Sequence, residues 1–76
     1  MDKVFVDVEY KTLRSGALRP QIIHWIDGRV WTVKRTLHSC TSSNGEFEGI
    51  RYTILIGSAE KYLYRTGTQW YVEPIP

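Results

Sequence analysis

A short turn signal, Asp27-Gly28, lies between two runs in which apolar and polar residues alternate, and it constrains the fold more than any other feature of the chain. An Asp-Gly pair in this setting is typical of a β-hairpin. A two-residue loop would put Trp25 and Trp31 on opposite faces of the sheet. A three-residue loop with a left-handed glycine in a bulge pairs Trp25 with Arg29 and puts both indoles on one face, so burial favours it.

The three-residue loop also determines which side chains share the interior. The set on the inner face is Ile23, Trp25, Trp31, Val33 and Leu37. The opposite face carries Ile22, Ile26 and Val30, an apolar patch of the kind that marks an interface. We predict that identical subunits associate through this patch. The alternative is that the first strand or the long loop after it covers the patch.

Most of the chain alternates with period two, and it has no sustained helical stripe. Six strands are predicted, at residues 3–10, 20–25, 29–37, 50–57, 61–65 and 70–73. The longest loop is predicted at residues 11–20, a second turn at Asn44-Gly45, and a stop at Pro74 and Pro76. Short strands with tight turns predict an all-β fold, a small antiparallel meander that curls into an SH3-like or OB-like barrel of five to six strands. Residues 1–76 are expected to form one domain.

The length of 76 residues limits the core, because a domain of this size buries only about 60% of its unfolded surface. Cys40 is the only cysteine, so an internal disulfide cannot supplement the core. The remaining supplements are a metal, an unusually aromatic core and self-association, and an aromatic content of 13% favours the last two. The first residues lack the apolar run of a signal peptide, and no segment approaches the roughly 20 apolar residues of a membrane span. We therefore expect a cytoplasmic protein with no membrane partner.

Few residues offer catalytic or metal-binding chemistry. His38 and Cys40 would share a strand face, but the sequence suggests no third group to orient a Cys-His pair. His24, His38 and Cys40 lack the spacing of familiar zinc sites, and a fourth ligand is not evident. The acidic residues are scattered, and neither Gly-rich segment precedes a helix as a phosphate loop would. We expect no catalytic residue, no metal, no cofactor and no enzymatic activity.

Arginine beside aromatic residues is the strongest functional signal. Six of the ten basic residues are arginine, which binds phosphate bidentately and stacks on planar rings. Nucleobases stack on aromatic side chains. We predict a pocket for a phosphorylated, base-containing ligand, formed by Arg35, Arg51, Tyr62, Tyr64, Arg65 and Tyr71. The alternative is that one tyrosine face belongs to the core and that the arginines are solvated strand residues.

Several short motifs resemble a family of short uncharacterised proteins common in Firmicutes and their mobile elements, including phages. They are an Ile-x-Trp-x-Asp-Gly-Arg hairpin at residues 23–29, a Gly-Ile-Arg-Tyr-Thr strand at residues 49–53, Tyr62-Leu63, and a terminal Trp-Tyr-Val-Glu strand at residues 70–73. The resemblance covers the larger part of the chain and implies the same small β fold. Arg65 and Thr66 depart from it, because family members often carry an aromatic and an acidic residue there, and residues 37–48 are peculiar to this chain.

The residues and the resemblance together predict a non-enzymatic, self-associating protein that binds a nucleotide-type ligand. One version is a phage-encoded sponge that sequesters a host nucleotide immune signal. A second hypothesis is an accessory module that binds single-stranded nucleic acid, which would need a continuous basic groove and would bind with a steep salt dependence. A third is a protein-interaction or inhibitor domain that pairs an edge strand with its partner.

Overall fold

The computed structural model describes residues 3–42, 45 and 47–73, and these residues form strands and turns without a helix. The strands are β1 (Val4–Thr12), β2 (Leu18–His24), β3 (Val30–Thr32), β4 (Arg35–Thr41), β5 (Ile50–Ile56), β6 (Ala59–Thr66) and β7 (Gln69–Val72). The predicted all-β fold is confirmed. The described residues contain seven strands where five to six were predicted, because the expected strand at residues 29–37 is interrupted after β3.

The strands form one sheet in the order β3-β2-β1-β7-β6-β5-β4, and all neighbours are antiparallel. This is a meander whose first and last strands pair. The two edge strands, β3 and β4, are consecutive in the chain, so their short connection joins the two edges. The Val33 amide donates to the Gln21 carbonyl at 2.8 Å, and the Lys34 amide donates to the Leu55 carbonyl at 2.7 Å. The sheet is thereby curled into a half-barrel.

The predicted hairpin register is confirmed. Ile23 pairs with Trp31, and the Trp25 amide donates to the Arg29 carbonyl at 2.9 Å. Gly28 has φ +94°, the left-handed conformation that the bulged loop requires. The two tryptophans lie on the same face, with ring centroids 4.8 Å apart in an edge-to-face contact. The pairing with β1 and the burial of Ile23 therefore agree with the local turn signal.

The turn is held by its own polar residues. The Asp27 carboxylate accepts hydrogen bonds from the Arg29 backbone amide at 3.0 Å and from its Nε at 2.8 Å. The backbone bond, followed by the side-chain bond and charge of Arg29, holds the pKa of Asp27 below its ordinary value. The Arg29 guanidinium also lies 4.2 Å from the Trp25 ring centroid. These charged residues belong to the bend and not to a reactive cluster.

The core lies on the concave, inner face of the sheet. Its buried members are Val6, Ile23, Val33, Tyr52, Ile54, Leu63, Trp70 and Val72, and Trp25 and Trp31 pack against them. Leu37 was wrongly expected among these residues. The register of β4 against β5 shifts between Thr36 and His38, so Leu37 occupies a bulge and is only half-buried. An extra residue resets the alternation of faces, which a continuous strand would have kept.

The prediction of a long loop at residues 11–20 is wrong. β1 extends to Thr12, β2 begins at Leu18, and a tight turn closed by Leu13 N to Ala17 O at 2.8 Å joins them. Pro20 is tolerated within β2 because β3 pairs only with Ile22–His24, so at Pro20 one side of the strand has no strand neighbour. Asn44, of the predicted Asn44-Gly45 turn, and Pro74 and Pro76 lie outside the described residues.

Candidate functional site

The outer face of the sheet carries a row of side chains that runs across five strands. Phe5 pairs with Tyr71, Tyr71 with Tyr64, Tyr64 with Arg51, and Arg51 with Cys40. Paired residues project to the same face of a sheet. The Tyr64 and Tyr71 rings stack at 4.9 Å with an interplanar angle of 5°, and Phe5 meets the Tyr71 ring edge-on at 5.9 Å. The row is therefore a second aromatic layer behind the core.

Residues 47–49 cover this layer, although it lies on the outer face. The Phe47 ring lies 5.5 Å from the Tyr64 ring, and the Tyr71 hydroxyl donates to the Glu48 carbonyl at 3.3 Å. The Glu48 carboxylate accepts a 2.9 Å hydrogen bond from Lys3 Nζ. The same ammonium group lies 5.0 Å from the centroid of the Tyr71 ring. Tyr64 and Tyr71 are consequently 5% and 0% exposed. Burial raises the pKa of both hydroxyls.

Gly49 allows the covering segment to approach β6. A Cβ atom at this position would lie 2.0 Å from the Arg65 carbonyl oxygen and 2.9 Å from its carbon. Gly49 also has φ +77°, in the left-handed region that favours glycine. The close approach and the backbone conformation both require glycine here, so Gly49 positions Phe47 and Glu48 above the aromatic row.

The Arg51 guanidinium lies between two aromatic rings. Its central carbon is 4.5 Å from the Tyr62 ring centroid and 4.8 Å from that of Phe47. One terminal nitrogen lies 3.8 Å from the Cys40 sulfur, a weak acceptor. The Nε atom is buried without a hydrogen-bond partner among the described residues. We call Arg51, Phe47, Tyr62, Tyr64 and Tyr71 the arginine–aromatic cluster.

Tyr62 is the open side of the arginine–aromatic cluster. It is 51% exposed, whereas Tyr64 beside it is buried. Cation–π contact with Arg51 and edge-on contact with Tyr64 at 6.5 Å hold the Tyr62 ring in place. An exposed, supported aromatic ring beside a guanidinium can stack a planar ligand and bind an anion attached to it.

Four of the six predicted ligand residues lie together, and two lie elsewhere. Arg51, Tyr62, Tyr64 and Tyr71 form the cluster together with Phe47. Arg65 follows Tyr64 and points to the inner face, where its guanidinium lies 5.8 Å from the Tyr10 ring and 5.5 Å from the Trp70 ring. Arg35 is on the outer face opposite Leu55, four residues along β5 from Arg51, or about 13 Å away.

Arg35 lines a groove of about 660 Å³ where the two edges of the sheet meet. The lining residues are Arg19, Pro20, Gln21, Ile22, Thr32, Val33, Lys34, Arg35 and Thr36. We call it the seam groove. Of its basic residues, Arg19 and Lys34 were not predicted as site residues, although the adjacent Lys34-Arg35 pair is a visible signal. Phe47 was also missed, because it belongs to an irregular segment, and the sequence of such a segment does not indicate whether its aromatic residue folds back onto the sheet.

The predicted interface residues differ in exposure. Ile26, at the tip of the hairpin turn, is 94% exposed, and Val30 is 55% exposed. Ile22 is half-buried and lines the seam groove. Between Ile22 and Val30 on the outer face stands His24, which is hydrogen-bonded to Glu9. Ile26 and Val30 are thus the exposed apolar side chains of this patch.

The remaining residues with reactive side chains, His38 and Cys40, contact side chains of β5. His38 Nε2 lies 3.2 Å from the Thr53 hydroxyl, and Cys40 lies against Arg51. In the described part of the chain, no three His, Cys, Asp or Glu side chains are grouped so that they could hold a metal ion. Within the same residues, no helix has the length and apolar character needed to cross a membrane.

No protein-family model, curated protein or solved structure matches the chain. The resemblance to short Firmicutes and phage proteins therefore stays a prediction. The function is therefore inferred from the geometry of the arginine–aromatic cluster and the seam groove.

Proposed function

We propose that the protein is a non-enzymatic binding protein that holds a nucleotide-type ligand on the outer face of β4, β5 and β6. The observation that supports this most is the Arg51 guanidinium held between Phe47 and the half-exposed Tyr62. A base would stack on the open face of Tyr62, and Arg51 would donate hydrogen bonds to a phosphate. Both interactions are strong for this ligand class.

The other predicted residues take different parts in this proposal. Tyr64 and Tyr71 are too buried to touch a ligand, so they support Tyr62 and Arg51 from below. Arg35 lies about 13 Å along the sheet from Arg51, where it can meet only a ligand longer than a single nucleotide. Arg65 faces the interior and has no part in ligand contact.

Binding alone would suffice for a biological role. A sponge that sequesters a host nucleotide immune signal needs affinity and abundance but no catalytic group and no cofactor. Self-association through Ile26 and Val30, flanked by Ile22, belongs to the same proposal. It would bury apolar side chains that are 94% and 55% exposed in the single chain.

Calorimetric titration with mononucleotides, cyclic mononucleotides and cyclic dinucleotides tests the proposal. We expect Arg51→Ala to weaken binding about tenfold or more, because a hydrogen bond to a charged group contributes about 1.5–3 kcal/mol. Tyr62→Ala should cost about 1–3 kcal/mol of stacking, and Tyr62→Phe should bind as the wild type does. Arg14→Ala is the matched control, since it removes the same charge from an exposed turn.

Two results would contradict the proposal. If no member of the panel binds, the ligand class is wrong. If a nucleotide binds but Arg51→Ala and Arg14→Ala have the same affinity as the wild type, the ligand lies elsewhere on the protein.

Single-stranded nucleic acid is the second candidate ligand, and the position of the seam groove favours it. Arg35, Lys34 and Arg19 continue the basic outer face beyond Arg51, over a length that suits more than one nucleotide. Affinity for a single strand should fall steeply with salt, with a slope of about −0.7 in log K per log salt for each phosphate contacted. A small slope, with one phosphate bound, would favour the nucleotide.

A further inference from the structure

The seam groove lies where the two edges of the sheet meet, beside an irregularity in the pairing of β2. The pairing of β1 with β2 jumps from Glu9–Ile22 to Tyr10–Pro20, so Gln21 is an extra residue in a bulge. The bulge presents the Gln21 carbonyl to the Val33 amide, and Lys34 is bound to β5 by its own amide. These backbone hydrogen bonds therefore hold the chain at Lys34 and Arg35 beside the groove that Arg19 also lines.

The charge around the seam groove is unbalanced. Arg19, Lys34 and Arg35 are all exposed and line the groove, and no carboxylate is among its lining residues. The salt bridges among the described residues involve none of the three. Lys11 pairs directly with Arg19 across β1 and β2, and like charges opposite each other destabilise a sheet. An anion in the groove would relieve this repulsion.

Polar side chains in the lining add hydrogen-bond donors to the three cations. Thr32 is exposed and Gln21 is half-buried, and they supply a hydroxyl and a side-chain amide. Thr32 pairs with Ile22, so it lies on the outer face. Both side chains can donate to a phosphate oxygen.

We propose that the seam groove is a phosphate-binding site, separate from the arginine–aromatic cluster. Arg19 and Arg35 would bind phosphate oxygens with paired donors, Lys34 would contribute a compact charge, and Thr32 would donate its hydroxyl hydrogen. A groove of about 660 Å³ has room for a pyrophosphate or for a short phosphodiester segment. The shared chemistry is a phosphate group, which could belong to a polyphosphate or to a nucleic-acid backbone.

A titration of ¹⁵N-labelled protein with sodium pyrophosphate, followed by amide chemical shifts, tests the proposal. We expect saturable shifts at Arg19, Thr32, Lys34 and Arg35. Replacing Lys34 and Arg35 together by glutamine should weaken pyrophosphate binding at least tenfold, because charge-assisted hydrogen bonds are lost. Arg14→Gln, which changes one charge in the turn between β1 and β2, should leave the affinity unchanged.

Three results would overturn the proposal: an absence of saturable shifts, shifts spread over all basic residues, or an equal loss of affinity in Arg14→Gln. The arginine–aromatic cluster is tested separately, since Arg51→Ala should bind pyrophosphate with wild-type affinity even if it binds no nucleotide. A parallel titration with oligothymidylate distinguishes the sources. If both ligands shift the amide signals of the seam-groove residues, the site binds a backbone phosphate. If pyrophosphate alone shifts them, the site binds a polyphosphate. Either result supports the proposal.

Discussion

Gly49→Ala should be among the most damaging single-methyl changes in the protein. The new Cβ would lie 2.0 Å from a backbone oxygen of Arg65, which cannot rotate away as a side chain would. The left-handed backbone at φ +77° costs a non-glycine residue about 1–2 kcal/mol. Moving residues 47–49 away from β6 adds an overpacking cost of about 1–3 kcal/mol.

The sum, about 2–5 kcal/mol, is a large fraction of the stability. A chain of 76 residues is expected to have a free energy of unfolding of about 4–11 kcal/mol. Gly67→Ala is the matched control, because Gly67 is also left-handed at φ +60°, but a Cβ atom added there would meet nothing within 4 Å beyond its chain neighbours. It should cost only the backbone term of about 1–2 kcal/mol.

Thermal unfolding followed by circular dichroism measures the difference. A loss of 1 kcal/mol lowers the Tm of a domain of this size by about 4–8 °C, so the overpacking cost of about 1–3 kcal/mol should make Gly49→Ala melt about 4–24 °C below Gly67→Ala. Melting temperatures within about 4 °C of each other would refute the close approach of residues 47–49 to β6. The position of Phe47 over Tyr64 would then be in error as well.

Two further predictions concern pH and assembly. Burial raises the pKa of Tyr52, Tyr64 and Tyr71 above 10.0, so the neutral hydroxyls stabilise the fold below pH 10 and this contribution is lost as the pH rises through the higher folded values. Urea unfolding midpoints should be lower at pH 11 than at pH 9, and a midpoint that stays constant would contradict the burial. Ile26→Glu should reduce the assembled size in light scattering, and any fall in Tm should follow from the lost association and not from packing within the subunit, since the side chain is 94% exposed in the single chain. Leu13→Glu, in another turn, should leave the assembled size unchanged. An unchanged size for Ile26→Glu would rule out the interface.

The hairpin at Asp27-Gly28 could be predicted in detail because its determinants are local. The loop has two or three residues, and only one choice puts Trp25 and Trp31 on the same face. Alternation likewise predicted β5, where Tyr52 and Ile54 are buried in the core. Where one face of a strand is clearly apolar, burial and turn geometry select the same register.

The site could be predicted only in part, because β6 carries apolar surface on both faces. Leu63 belongs to the core, yet its neighbours Tyr62 and Tyr64 lie on the outer face and differ in exposure. Tyr64 stacks on Tyr71, and the Phe47 ring from the segment at residues 47–49 also contacts it. The alternative that a tyrosine face is buried therefore holds for Tyr64 and Tyr71, whereas Tyr62 remains open.

The all-β class, the meander and the central hairpin follow from the order of the amino acids, because alternation and turn chemistry act over a few neighbouring residues. The closure of the sheet, the covering of Tyr64 and Tyr71 and the grouping of cations at the seam groove depend on contacts made in the folded chain. The bulges at Gln21 and Leu37 each shift the alternation by one residue, in the β1–β2 and β4–β5 pairings, and the Gln21 carbonyl also accepts from the Val33 amide at the closure of the sheet. A period of two residues carries no information about such insertions, so the faces on either side of a bulge follow from how the paired strands pack in the fold.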